Sequence, residues 1–200
     1  ARSSSLAQCR RRPKSFYLPP TSTSLTARES PDPTMTAPTS KPAPRPSTGN
    51  PIAKSRAEWR GDLLFQVGVG ERTHTIDGRS KTAPSPVETL LGAVGTCAAN
   101  DVVEILAKQR TPAQKLAVDV LATRRAEFPR RVETLEVTFT IDGEGIERAQ
   151  AERAIDLSIQ RYCTVAASLA GDIDMTSVLV LNGQRGEHVQ QPMFSSSRKD

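Results

Sequence analysis

The chain has 200 residues, and its positive charge and its prolines are concentrated at the N-terminal end. Residues 1–56 hold 10 Lys or Arg against two acids, a net charge of +8, whereas the remainder holds 17 basic and 20 acidic residues, a net charge of −3. Ten of the 15 prolines lie in the first 51 residues. Such a segment buries too little apolar surface to offset its ordering entropy, so we predict a disordered tail at 1–56 and one domain at 57–182.

Three interpretations of the tail stay open. The first 28 residues hold six basic residues, six serines and no acid, which is typical of an organellar transit peptide. Alternatively, residues 1–34 are a non-native leader before Met35, the first methionine. A third hypothesis, contact of Arg10–Arg12 with nucleic acid or anionic lipid, rests on a short run alone. We expect a cytoplasmic protein, or an organelle-matrix protein if residues 1–34 are a transit peptide.

Several classes of protein are disfavoured by the composition. Three cysteines, Cys9, Cys97 and Cys163, are too few for a disulfide-stapled secreted scaffold. The two histidines and the lack of C-x-x-C or H-x-x-x-H spacing argue against a structural zinc site. No glycine-rich nucleotide loop occurs. We see no apolar run approaching the roughly 18–20 residues of a membrane helix, so a membrane partner is not expected.

In the first half of the domain, alternating apolar residues predict a strand at 58–67 and a return strand at 72–77. A helix is predicted at about 86–109. It starts with a capping box in which Ser85 is the N-cap and Glu88 lies three residues later, with Pro86 at the first helical position. The helix is apolar along most of its length, which indicates cover from a second copy of the chain.

In the second half, alternation predicts strands at 116–122 and 135–141, a second helix at 147–170 and a last strand at 173–181. Residues 183–200 are predicted to be a loose tail. The order β-β-α-β-β-α-β does not alternate strictly, so the fold class expected is α+β, with antiparallel sheets packed on two long helices.

Cys97 lies inside the first predicted helix and Cys163 inside the second. Taken alone, each is best interpreted as a small buried hydrophobe, because free cysteine is among the most buried residue types. Redox chemistry is the alternative, and it requires a thiolate stabilised by a positive neighbour or a helix N-terminus.

The sequence around both cysteines favours that alternative, because it resembles the OsmC/Ohr superfamily of osmotically inducible and organic hydroperoxide resistance proteins. The resemblance covers roughly residues 57–181 and is strongest to the OsmC-like branch. The segments that carry it are Ala83–Glu88, Leu90–Cys97 and Asp101–Leu106 around the first cysteine, and Arg153–Ser158 and Arg161–Ala166 around the second.

The resemblance implies an intertwined α+β homodimer with two active sites at the subunit interface. It also implies a thiol peroxidase acting on organic hydroperoxides. Cys97 would be oxidised to a sulfenic acid and Cys163 would resolve it as a disulfide. The expected reductant is an external dithiol, lipoyl-type or a lipoylated protein, with no bound cofactor, no metal and no nucleic-acid partner.

One departure from the family pattern concerns the start of the first helix. Well-studied members carry a glutamate there that helps to hold an active-site arginine, and this chain has Val87. Glu88 is one residue later, about 100° round the helix, where its capping-box role is the favoured interpretation. The candidate arginines are Arg72 and, more weakly, Arg79. This departure motivates a second hypothesis, a non-enzymatic or weakly active redox-sensing or binding dimer.

Overall fold

The structure, a computed structural model, describes residues 52–192. Residues 1–51 and 193–200, and with them most of the predicted basic tail, lie outside this range. The elements in chain order are β1 (Arg56–Trp59), β2 (Leu64–Val69), β3 (Arg72–Asp77), α1 (Pro86–Lys108), β4 (Lys115–Arg124), β5 (Val132–Asp142), α2 (Arg148–Leu157), a π-helix (Ser158–Tyr162), α3 (Thr164–Ala167), β6 (Asp174–Leu181) and β7 (Gln184–Gln191). The expected α+β class is confirmed.

The first sheet has three antiparallel strands in the order β1-β2-β3. The return strand at 72–77 forms as predicted, but the strand expected at 58–67 is divided into β1 and β2 by a turn. In that turn the Arg60 N–H donates to Leu64 O at 2.9 Å, and Gly61 adopts a φ of +104°. That left-handed conformation suits glycine, which has no Cβ to obstruct it.

The second sheet has four strands in the order β4-β5-β6-β7. Two of our expectations about it are wrong. First, β5 and β6 pair in parallel, because a helical crossover connects them and carries the chain back to the same end of the sheet. Second, residues 184–191 are not loose but form β7. The chain reverses at Asn182 and Gly183, both with positive φ, which is the usual geometry of a two-residue hairpin turn.

Helix α1 begins where the capping box predicts. The Ser85 Oγ accepts from the Glu88 N–H at 3.3 Å, and a Glu88 carboxylate oxygen accepts from the Ser85 N–H at 2.7 Å. One stripe of the helix is buried against the inner face of the second sheet. The buried residues that form this contact include Ala98, Val102 and Leu106 of α1 and Val137, Phe139 and Ile141 of β5.

We expected no stretch of the chain to resemble a membrane helix, and this expectation was also wrong. By length and composition, α1 is apolar enough to cross a membrane, yet only a third of its most apolar window is buried. The core contact explains part of this apolar character. The rest lies on the outer side of α1, where Leu90 and Val103 are exposed.

The second helix is shorter and less regular than predicted. In place of one helix over 147–170, α2 ends at Leu157, a π-helix follows, and Cys163 has extended backbone with φ −71° and ψ 96° before α3 begins. Periodicity cannot reveal this, because one inserted residue changes the hydrogen-bond register without changing the apolar composition.

The buried carboxylate of Asp77 accepts the hydrogen bonds that hold the loop between β3 and α1. Its oxygens accept from the backbone N–H groups of Arg79 at 2.8 Å and of Lys81 and Thr82 at 3.0 Å, and from the Thr82 hydroxyl at 3.0 Å. These bonds, first that from Arg79, lower the Asp77 pKa from 3.8 to about 2, because they stabilise the ionised form.

We expect Asp77→Asn to lower the Tm at pH 7. Because the folded pKa lies below the usual value, the stabilisation from Asp77 is fully present above about pH 4 and declines as the pH falls toward about 2. The Tm difference between wild type and variant should therefore narrow in acid, measured by thermal unfolding from pH 7 to pH 2.5. Asp119→Asn, at an exposed position on β4, is the control. A difference that stays constant over this range would contradict the role given to the Asp77 charge.

Candidate active site

Cys97 lies near the middle of α1 and is half-buried. It packs at the border of the apolar core, and its Sγ is 3.9 Å from the hydroxyl oxygen of Thr164, the first residue of α3. The thiol is therefore held by the core on one side and remains reachable from outside the chain on the other.

Cys163 lies at the end of the π-helix and is fully buried. Its backbone N–H donates to Ser158 O at 2.8 Å, and its sulfur accepts from the Ala166 N–H at 3.4 Å. Cys163 directly precedes Thr164, the residue whose hydroxyl lies 3.9 Å from the Cys97 sulfur. The structure thus brings together the two cysteines that are 66 positions apart in the sequence, both as free thiols.

Burial determines the protonation of Cys163. The pKa of Cys163 is raised from 9.0 to about 12, chiefly by burial and also by the neighbouring Cys97 and the charge of Asp101, against the opposite effect of the Ala166 N–H. Cys163 is therefore a neutral thiol at pH 7, because its thiolate would be both desolvated and repelled. Of the two, only Cys97 combines core contact with access to a reagent.

Two further polar residues sit beside the cysteines, and the sequence interpretation missed both. Asp101, one helical turn after Cys97, and Ser158, five residues before Cys163, are buried and joined by a hydrogen bond of 3.2 Å from the Ser158 hydroxyl to a carboxylate oxygen. The i, i+4 spacing from Cys97 could have indicated Asp101. No sequence signal indicates Ser158, because its place depends on the π-helix.

The structure places Glu88, the first supporting residue that we considered, in the first turn of α1, and Arg72, the second, on β3. The Glu88 carboxylate accepts from the Ser80 hydroxyl and from the Ser85 N–H, and these bonds lower its pKa from 4.5 to about 2. Glu88 therefore closes the loop before α1. Arg72 is exposed at the far end of β3, about 17 Å along the strand from Asp77. Arg79 forms an ion pair with Asp62 at 2.8 Å.

Val87, at the position of the family glutamate, lines an apolar cavity of about 300 Å³. Leu91 and Val94 continue the wall along α1 to the turn that precedes Cys97, and Arg130 and Arg131 also line the cavity. The Arg131 guanidinium donates to both carboxylate oxygens of Asp172, and the longer of the two N–O distances is 2.9 Å. Val87 thus presents an apolar side chain to this cavity.

Residues 52–192 hold no cluster of three or more His, Cys, Asp or Glu side chains able to bind a metal ion.

Comparison with known proteins places this arrangement in a family. A model described as OsmC-like protein matches residues 78–178, a range that includes both cysteines. The chain belongs to the OsmC/Ohr superfamily. Protein YhfA of Escherichia coli K12 is 37% identical over 126 residues, which is 62% of this chain and 93% of that protein. This superfamily includes organic hydroperoxide resistance proteins.

Solved structures share the fold of the chain. An OsmC-like protein from Mycoplasma pneumoniae aligns with a TM-score of 0.58 at 15% identity, over 64% of this chain and 95% of that one. An organic hydroperoxide resistance protein OsmC from Legionella pneumophila aligns with a TM-score of 0.50 at 13% identity, over 65% and 98% of the two chains. At these identities the likeness concerns the fold alone.

The burial of Cys163 and its raised pKa predict an order of alkylation. In the reduced native chain, iodoacetamide at pH 7.5 should modify Cys97 at least tenfold faster than Cys163, because Cys163 is buried and its pKa is raised to about 12. Peptide mapping at successive times measures both rates, and both cysteines should react alike in denaturant. Equal native rates would contradict the geometry described here.

Proposed function

We propose that the protein is a thiol-dependent peroxidase that reduces organic hydroperoxides through Cys97 and Cys163. The observation that carries this proposal is that the half-buried thiol of Cys97 lies beside Thr164, the residue that directly follows the fully buried Cys163. The family membership supports a peroxide-related role in stress protection.

In the proposed reaction the Cys97 thiolate attacks one oxygen of the hydroperoxide. An S–O bond forms, the O–O bond breaks, and the leaving alkoxide takes a proton to become the alcohol. Cys97 is then a sulfenic acid. The Cys163 thiol displaces its hydroxyl group as water, and a Cys97–Cys163 disulfide forms. An external dithiol, for which we propose a lipoyl-type group on a partner protein, reduces the disulfide by exchange.

The cavity beside Val87 supports an organic rather than an inorganic peroxide. Its lining is mainly aliphatic, and it extends along α1 to within one turn of Cys97. An alkyl or aryl group placed there would leave water, which favours binding. A function of this kind needs a compartment in which thiols stay reduced, and we propose the cytoplasm.

We also propose that two copies of the chain form the working unit. Within β1 to β3 the only buried residue is Asp77, so this three-stranded sheet has no core of its own. An apolar groove of about 460 Å³ also lies open between the outer side of α1 and β4, lined by residues such as Gly92, Ala99 and Val118. A second copy that covers both surfaces would remove them from water.

The test of the peroxidase is a thiol count before and after one equivalent of cumene hydroperoxide. The chain should lose two thiols rapidly, and peptide mapping should find a Cys97–Cys163 crosslink. Cys97→Ser should abolish turnover, whereas Cys163→Ser should retain the first step and accumulate a sulfenic acid that dimedone captures. Cys9→Ser is the control and should behave as wild type. Thiols that oxidise no faster than free cysteine would instead favour the redox-sensing or binding dimer.

The test of the dimer is the mass in solution, measured by size-exclusion chromatography with light scattering. Val103→Arg places a charge on the outer side of α1 and should weaken dimerisation at least tenfold, since an unpaired buried charge is costly. Val189→Arg, on an exposed position of β7, is the matched control and should not. A wild-type monomer at 50 μM would overturn the proposal.

A further inference from the structure

Ser158 is the residue at which the two cysteine-bearing segments are joined. Its single hydroxyl proton is shared between two acceptors, the backbone oxygen of Ala98 at 3.0 Å and a carboxylate oxygen of Asp101 at 3.2 Å, both on α1 beside Cys97. Its backbone oxygen accepts from the N–H of Cys163 at 2.8 Å. One buried residue therefore contacts the helix of the first cysteine with its side chain and the second cysteine with its backbone.

The π-helix makes this double contact feasible. In an α-helix the Cys163 N–H would bond to the residue four positions earlier, Ile159, but here it bonds to Ser158, five positions earlier. The extra residue rotates the segment that follows it by about 100° around the axis of α2. Single π-turns of this kind recur at functional sites. Here the register places Cys163 beside the part of α1 that carries Cys97.

The polar pair is costly to bury unless its members bond to each other. Ser158 is 0% exposed and Asp101 is 5% exposed, and they lie within an otherwise apolar core. A hydroxyl that bonds to a carboxylate in such surroundings is held more firmly than one in water. The link between α1 and the π-helix is therefore directional, unlike the aliphatic packing around it.

We propose that Ser158 and Asp101 are positioning residues for disulfide formation: the Ser158 hydroxyl, held by Asp101 and Ala98 O, fixes the π-helix on α1 so that Cys163 stays against Cys97. This rests on the proposed function for its biological meaning. The step served is the condensation of the Cys163 thiol with the Cys97 sulfenic acid, in which the S–S bond forms, the S–O bond breaks, and the thiol proton leaves with the hydroxyl as water. Holding two reacting groups together raises their effective concentration.

The first experiment uses no peroxide. The reduced full chain is equilibrated in mixtures of reduced and oxidised glutathione, and the fraction with a Cys97–Cys163 disulfide gives the effective concentration of the two thiols. Ser158→Ala should lower that value at least tenfold. Asp101→Asn keeps an oxygen acceptor and should stay within threefold of wild type, whereas Asp101→Ala should resemble Ser158→Ala. Should Ser158→Ala fail to fold by circular dichroism, the Asp101 pair of variants decides alone.

Ser168→Ala is the matched control. Its hydroxyl also donates to a backbone oxygen, Thr164 O at 2.7 Å, but it is exposed and bonds within α3. This variant should leave the effective concentration unchanged. A tenfold loss in Ser168→Ala as well, or an unchanged value in Ser158→Ala and Asp101→Ala, would overturn the positioning role.

The second experiment separates the two oxidative steps. With cumene hydroperoxide, Ser158→Ala should form the sulfenic acid at a rate within twofold of wild type but lose at least tenfold more of it to dimedone. Equal slowing of both steps would indicate general damage to the structure and overturn the proposal. A chain inert to peroxide that still shows the glutathione effect would remove the peroxidase function and leave the positioning role intact.

Discussion

The burial of one stripe of α1 against the four-stranded sheet is the constraint on which the cysteine site depends. Ala98, Val102 and Leu106 enter the core, and this fixes the rotation of the helix about its own axis. Cys97 follows from that rotation, because it is the residue beside the buried stripe and so lies at the edge of the core. A helix free to rotate would expose Cys97 or bury it completely.

The second constraint is the crossover between β5 and β6. Parallel strands require the chain to return across the sheet, and α2, the π-helix and α3 make this return over the same face that α1 covers. The crossover therefore passes α1 near Cys97. Cys163 lies where its backbone leaves helical geometry, and this places one fully buried thiol against one half-buried thiol. Their unequal burial gives them different chemistry although the residue type is the same.

Much of the fold follows from local signals. The capping box at Ser85 and Glu88 marks the start of α1, and alternation marks β5, where every second residue from Leu135 is buried. The signals fail where the outcome depends on distant partners. The residues of β7 are mostly polar because β7 is an edge strand. It forms only by pairing with β6. The bond of Glu88 to Ser80 depends in the same way on the path of the loop before α1, whereas its capping-box bond to Ser85 is local.

The sequence by itself determined the helix around Cys97 and the superfamily, because capping, periodicity and the two motifs are properties of neighbouring residues. The tertiary structure alone decided that the segments of the two cysteines meet, that burial raises the pKa of Cys163 and that Asp101 and Ser158 join these segments. Burial and electrostatic contact depend on which segments meet in space, and the π-helix that sets this meeting has no distinct pattern of residues.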